Sequence, residues 1–207
     1  MTSRPRTAGG PDTATVSARQ DLVEATRALA SAVGRTGVDE ARMRGLAARL
    51  RELVPDLEES RLPRVPRTAF ADAVGAPDYA WQRDNPALPG VEIRFVEGMA
   101  HAELPDGLDH LFEGPEDLVH GGVAAMLMDV VLSSLVQFHG IPCVTASLTV
   151  EFRRPTPLRR ALTLTGRLDE VHERKALASG TVLYEGGVTI EARGVFVRVD
   201  RGRPGTG

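Results

Sequence analysis

A His-Gly-Gly turn at His120, Gly121 and Gly122 and a carboxylate at Asp129 are the residues of this chain whose types and spacing could do chemistry together. The turn opens a long apolar segment running to His139, with Asp129 in its middle. The first turn of a helix carries unpaired N–H groups and a partial positive charge, and glycine there lets a carbonyl or oxyanion approach the backbone. An ionised Asp among Met126, Leu127, Met128, Val130, Val131 and Leu132 costs free energy unless something compensates it. A site that polarises a carbonyl and offers it a carboxylate explains both features. Plainer explanations also stand. Asp129 could pair with an arginine or be capped by hydroxyls at an interface, and the glycines could serve close helix packing or a turn that only Gly fits.

The spacing carries a further consequence. Asp129 lies eight residues beyond Gly121, which on a helix is about 12 Å of axial rise. A nucleophile and an oxyanion donor must both reach one carbonyl group at contacts of roughly 3 Å. One helix does not easily supply both, whereas two antiparallel helices related by a two-fold axis do, with Gly121 of one chain facing Asp129 of the other. The spacing therefore predicts at least a dimer with two sites.

The elements that hold these residues can be read along the chain. A length of 207 residues, with 42% hydrophobic and 26% charged content, fits one globular domain plus an extension. The net charge of -3 gives no electrostatic case for a nucleic-acid partner. The N-terminus lacks the apolar core of a secretory signal. No apolar run is expected to span a membrane, since Asp129 interrupts the best candidate. The single Cys143 excludes an intrachain disulfide and a Cys-based zinc cluster. A cytoplasmic location is the expectation.

Residues 1–16 are rich in Pro, Gly, Thr and Ser and read as a disordered lead-in. Residues 17–60 read as a helical hairpin extension. Leu22, Ala25, Leu29 and Val33 form the first apolar stripe, and Met43, Leu46, Leu50 and Leu53 the second, with Thr36 to Asp39 at capping-box spacing. Residues 61–89 hold Pro63, Pro66, Pro77, Pro86 and Pro89 and read as an irregular strap, which could cover a pocket with Phe70, Tyr79 and Trp81 or simply link. From 90 to 200 two strands, Val91–Gly98 and Met99–Asp106, precede the apolar helix. Four more follow it: Cys143–Arg154, Arg160–His172, Lys175–Tyr184 and Val188–Asp200. In the first of these, strict alternation puts Val144, Ala146, Leu148, Val150 and Phe152 on one face and Thr145, Ser147, Thr149, Glu151 and Arg153 on the other. Turns are expected near Glu97-Gly98, His172-Glu173 and Gly186-Gly187. The tail, 201–207, reads as disordered. A helix apolar all round must be buried, and a curved antiparallel sheet can wrap it.

This order of elements resembles the hotdog fold, an α+β architecture with a curved antiparallel sheet around one long central helix. The motifs resemble the acyl-CoA thioesterases of that fold, in the PaaI-type group with N-terminally extended members. The residues that carry the likeness are Glu113-Gly114-Pro115, Leu118-Val119-His120-Gly121-Gly122, Asp129, Val144-Thr145-Ala146-Ser147-Leu148, and Phe152-Arg153-Arg154-Pro155-Thr156-Pro157-Leu158. The likeness runs from about 85 to 200 and leaves out the helical extension. It implies that the N–H groups at Gly121 and Gly122 hold a thioester carbonyl, and that Asp129 is the nucleophile or the general base. It further implies that His120 supports the turn and that Thr145 and Ser147 orient water or the carboxylate. Small members of the group often carry Asn or Gln where this chain has Gly114.

Arg153, Arg154, Arg159 and Arg160 surround Pro155 and Pro157. They could grip coenzyme A phosphates, or form a solvated basic rim. Cys143 reads as a small core residue. His101, His110, His139 and His172 lack ligand spacing, so no metal is expected, and no cofactor beyond coenzyme A as part of the substrate. The expected reaction is hydrolysis of an acyl-CoA, or of an acyl thioester on a carrier protein, by a homodimer that could assemble into a homotetramer. Two alternatives are an acyl-thioester hydratase or dehydratase on the same fold and a non-catalytic acyl-CoA-binding module.

Overall fold

The computed structural model describes residues 13–62 and 85–199. Most of the lead-in, the strap with Phe70, Tyr79 and Trp81, and the tail lie outside the described residues. The N-terminal part holds two helices, α1 (Thr13–Gly34) and α2 (Glu40–Glu58). Helix α1 opens inside the stretch read as lead-in. Asp39 is itself the N-cap of α2, its side chain accepting the Arg42 N–H at 2.9 Å, so the start is a single cap one residue before the helix rather than a box begun by Thr36.

The hairpin packing expected of these helices does not form among the described residues. Helix α2 has no buried residue, and Leu22, Leu29 and Val33 of α1 are exposed together with Met43, Leu46 and Leu53 of α2. Helix α1 instead lies against the turn at residues 110–112. It lines the groove there with Arg27, Ala28 and Ser31, joined by Arg35 just past its end, a mostly polar set. Docking is decided by which side chains find partners, and Arg27 finds the Asn85 carbonyl at 2.8 Å.

The rest is the hotdog fold. Strands β1 (Ile93–Val96) and β2 (Met99–Leu104) are followed by a 3₁₀ turn at His110–Phe112 and then helix α3 (Gly121–Phe138). Strands β3 (Cys143–Phe152), β4 (Leu162–Val171), β5 (Lys175–Tyr184) and β6 (Gly187–Arg198) complete one antiparallel sheet in the order β1-β2-β4-β5-β6-β3. Helix α3 touches all six strands. Met128, Val131, Leu132, Leu135 and Val136 are fully buried in one cluster with Ala100, Leu164, Ala176 and Phe196, each larger side chain contributing roughly 1.5–3 kcal/mol by burial. By length and composition α3 is apolar enough to cross a membrane, contrary to the expectation that Asp129 disqualifies it, but here it is the core helix of a folded sheet.

The turns fix the register. Glu97 and Gly98, with φ of 52° and 76°, join β1 to β2 as a two-residue hairpin. Glu185 and Gly186 join β5 to β6 in the same way, one residue earlier than the expected Gly186-Gly187. Strand β3 lies at the sheet's edge, so one side of its backbone has no strand partner among the described residues.

Candidate active site

The site begins with how α3 starts. His120 is the N-cap, with extended backbone (φ -60°, ψ 129°). Its carbonyl accepts the N–H groups of Val123 and Ala124 at 2.9 and 3.0 Å, and its Nδ1 accepts the Gly122 N–H at 3.0 Å. A neutral imidazole accepting at Nδ1 carries its proton on Nε2. Three of the four first-turn donors are thus used. The fourth, Gly121 N–H, has no hydrogen bond among the described residues, and it sits at the positive end of an 18-residue helix. The two glycines were expected to share the carbonyl. In this geometry Gly122 serves the cap, and Gly121 is the available donor.

Backbone bonds hold the turn. The His120 N–H donates to the Phe112 carbonyl at 2.9 Å, the Gly114 N–H to Leu118 at 2.9 Å, and the Val119 N–H to Thr156 at 2.9 Å. Gly114 is where small relatives carry an amide. A Cβ there would stand 2.8 Å from His120 Cα, so this chain's loop is folded tightly enough to exclude a side chain.

Above the free N–H lies a groove of about 390 Å³ whose lining includes Gly121, Ala124, Phe152, Arg154 and Thr156. The Phe152 ring reaches within 3.2 Å of where a Gly121 Cβ would be, and this residue is 58% exposed. The sequence places Phe152 on the apolar face of β3 and within the family motif, with no role at the site. An aromatic at a strand end beside the glycine turn is a weak signal, because its partner is set by the fold.

Asp129 is half-buried on α3, and Thr145 Oγ1 donates to its Oδ1 at 2.7 Å. Ser147 is not brought to the same place. A β-bulge between Thr145 and Ser147 pairs them with Phe196 and Val195, successive residues of β6. Directly paired residues share a face and successive ones do not. Thr145 therefore lies on the helix side with Leu148, Val150 and Phe152, and Ser147 on the outer side. The expected strict alternation fails because Ala146 is an extra residue in the strand.

The four arginines are also divided. Arg153 bridges Glu151 and Glu191, donating to Glu191 at 2.8 Å, and these carboxylates raise its guanidinium further above its ordinary value, the hydrogen bond to Glu191 foremost. Glu151 and Glu191 face each other across β3 and β6, so Arg153 answers a like-charge pair rather than waiting for phosphate. Arg154 donates from Nε to the Val188 carbonyl at 3.1 Å and has no carboxylate partner among the described residues. Arg159 faces His110, with Nη1 3.4 Å from Nε2. Arg160 lines a different groove with Tyr184 and Glu185. Cys143 is buried, and burial first, then the Asp129 charge, pushes its thiol up to about 12, as suits an unreactive core residue.

Residues 117–199 match the thioesterase superfamily. A bovine acyl-coenzyme A thioesterase, THEM4, is 33% identical over 90 residues, 42% of this chain and 37% of the relative. The chain thus spans about two fifths of the length of the curated relatives it matches. A thioesterase superfamily protein of solved structure is similar over 86% of this chain and 94% of its own, at 29% identity and a TM-score of 0.75. The E. coli PaaI protein of the phenylacetic acid degradation operon is similar over 64% of this chain and 97% of its own, at 18% identity and a TM-score of 0.54.

Proposed function

We propose that this chain, whose residues 117–199 match the thioesterase superfamily, is a thioesterase of the PaaI type that hydrolyses an acyl-CoA, or a carrier-protein acyl thioester, in a site shared by two copies. The observation that carries the reading is the unpaired Gly121 N–H at the start of α3, with Asp129 farther along the same helix and fastened to Thr145.

In this reading the thioester carbonyl accepts from Gly121, which stabilises the negative charge that develops on oxygen. Asp129 of the second copy removes a proton from water as it attacks the carbonyl carbon, or attacks that carbon itself. The C–S bond then breaks and the thiolate takes up a proton; water attack leaves free acid and thiol directly, whereas direct attack by Asp129 leaves a mixed anhydride that water hydrolyses to release the acid and restore the carboxylate. Thr145 holds one carboxylate oxygen and leaves the other to act. Phe152 shields the carbonyl from bulk solvent, and Arg154 is the arginine best placed for the anionic end of coenzyme A.

The edge strand supports a shared site. Thr145, at one end of β3, marks the carboxylate, and Phe152, at the other, covers Gly121. They are seven residues apart, about 23 Å. Antiparallel pairing of two β3 edges, centred near Leu148 and Thr149, sets the carboxylate end of one copy beside the glycine end of the other. It also covers Val144, now 52% exposed.

Complementation tests this. Gly121→Val places a side chain against Phe152, and Asp129→Asn removes the acting oxygen. Each homomeric variant should lose roughly 10²–10⁴-fold in thiol release from acyl-CoA. A co-expressed mixed dimer has one site with both groups intact, and should regain about half the wild-type rate per dimer. Full activity in Asp129→Asn would refute the role of the carboxylate, and no recovery in the mixed dimer would refute the sharing.

A further inference from the structure

Helix α1 meets the hotdog unit beside the turn that supports His120. Arg27 and Ser31, one turn apart on the helix, and Arg35 just past its end line a groove with Gly107, Leu108 and Asp109. Arg27 donates to the Asn85 carbonyl at 2.8 Å, and its Nη1 stands 3.1 Å from where a Gly90 Cβ would be. Asp109 is where the two parts meet electrically. Burial alone would raise its carboxyl. Ser31 and Arg35 line the same groove as Asp109, and the nearby Ser31 hydroxyl, the bond from the Leu111 N–H and the Arg35 and His110 charges outweigh burial and hold it below the usual carboxylate range.

From Asp109 a short path of bonds leads to the oxyanion turn. Asp109 Oδ1 accepts the Leu111 N–H at 2.9 Å and starts the 3₁₀ turn. That turn ends at Phe112, whose carbonyl accepts the His120 N–H at 2.9 Å, while Glu113 bridges to Val119. His120 in turn accepts the Gly122 N–H. With Gly122 held this way, the Gly121 N–H is left without a hydrogen bond among the described residues. We propose that α1 is a positioning element for the oxyanion turn, acting through Asp109 and the 110–112 turn on His120. The catalytic part of this inference rests on the function proposed above; the mechanical part does not.

The path runs through backbone bonds, so loosening α1 should be read at His120 rather than in the core. In the full-length protein, Ser31→Glu sets a carboxylate against Asp109, and Ser31→Lys, of similar size, keeps the attraction. Arg27→Glu is a second way to undock the helix. The expected result for Ser31→Glu and Arg27→Glu is faster hydrogen exchange at the His120 and Gly122 amides, by about ten-fold. kcat should fall by about ten-fold with KM within about two-fold, and Ser31→Lys should stay near wild type in both. A merely structural helix would give fast exchange within α1 while His120 exchange and kcat stayed at wild-type values, and that result would overturn the inference. Coupled exchange in a protein that turns over no acyl-CoA would uphold the mechanical link and reject the proposed reaction instead.

Discussion

The two halves of the candidate site are held by different means. At the glycine half, the N–H of Gly121 is presented by a turn whose backbone is bonded to Phe112, Leu118 and Thr156, and whose cap occupies Gly122. At the carboxylate half, Asp129 is held by one side-chain bond, the 2.7 Å contact from Thr145. A donor built from backbone can be damaged only by moving the chain, whereas a carboxylate steadied by a hydroxyl can be released without disturbing the fold. Damage to the first half should therefore cost stability and rate together. Damage to the second should cost rate alone.

The sharpest way to break this contrast is Gly114→Ala. Its Cβ would stand 2.8 Å from His120 Cα, so the loop must move and the Phe112 and Leu118 bonds with it. We expect a loss of about 1–3 kcal/mol in stability, and a drop of roughly 10–100-fold in kcat/KM, measured by denaturant unfolding and thiol release on one preparation. A stable but slow Gly114→Ala would mean that the turn does not depend on close approach.

The matching change at the other half is Thr145→Val. It removes a hydrogen bond to a charged group, a loss of about 1.5–3 kcal/mol where the bond is fully formed. Since Asp129 is only half-buried, we expect about a ten-fold fall in kcat with the melting temperature nearly unchanged. Ser147→Ala is the companion measurement. With Ser147 on the outer side of the sheet, its rate should stay within about two-fold of wild type. Equal losses in the two variants would mean that the bulge does not separate these hydroxyls in the folded protein.

That pair of residues also marks where the sequence stops being readable. The apolar run from Gly121, the strands on either side and the helix-start glycines are local patterns, and local physics makes them visible. The bulge at Ala146 is not, because an extra residue in a strand is defined by its partner on β6. The same holds for α1. Its apolar stripe was legible, yet Leu22, Leu29 and Val33 of that stripe stay exposed while Val23 is buried and Arg27 donates to the Asn85 carbonyl, a partner far along the chain. Arg153 looked like a phosphate ligand until Glu191, from another strand, came beside it. Gly114 looked like a missing amide, and its reason, the approach of His120, is likewise tertiary.

The smallest expected effect reads the carboxylate half without using catalysis. Cys143 is buried, with its thiol pushed up to about 12 by burial and, second, by the negative charge of Asp129. Only the thiolate is alkylated, so modification of the native protein near pH 8 should be far slower than that of an unfolded control. Asp129→Asn removes the smaller of the two causes, which lowers the thiol's pKa and raises the thiolate fraction. Because burial remains, the gain should be modest, roughly two- to five-fold in alkylation rate. Gly121→Val leaves that charge in place and should leave the rate unchanged. A variant-independent rate would mean that the thiol does not sense Asp129. A large acceleration in Gly121→Val would mean that the two halves are mechanically coupled within one chain, and the distinction between a backbone-held half and a side-chain-held half would fail.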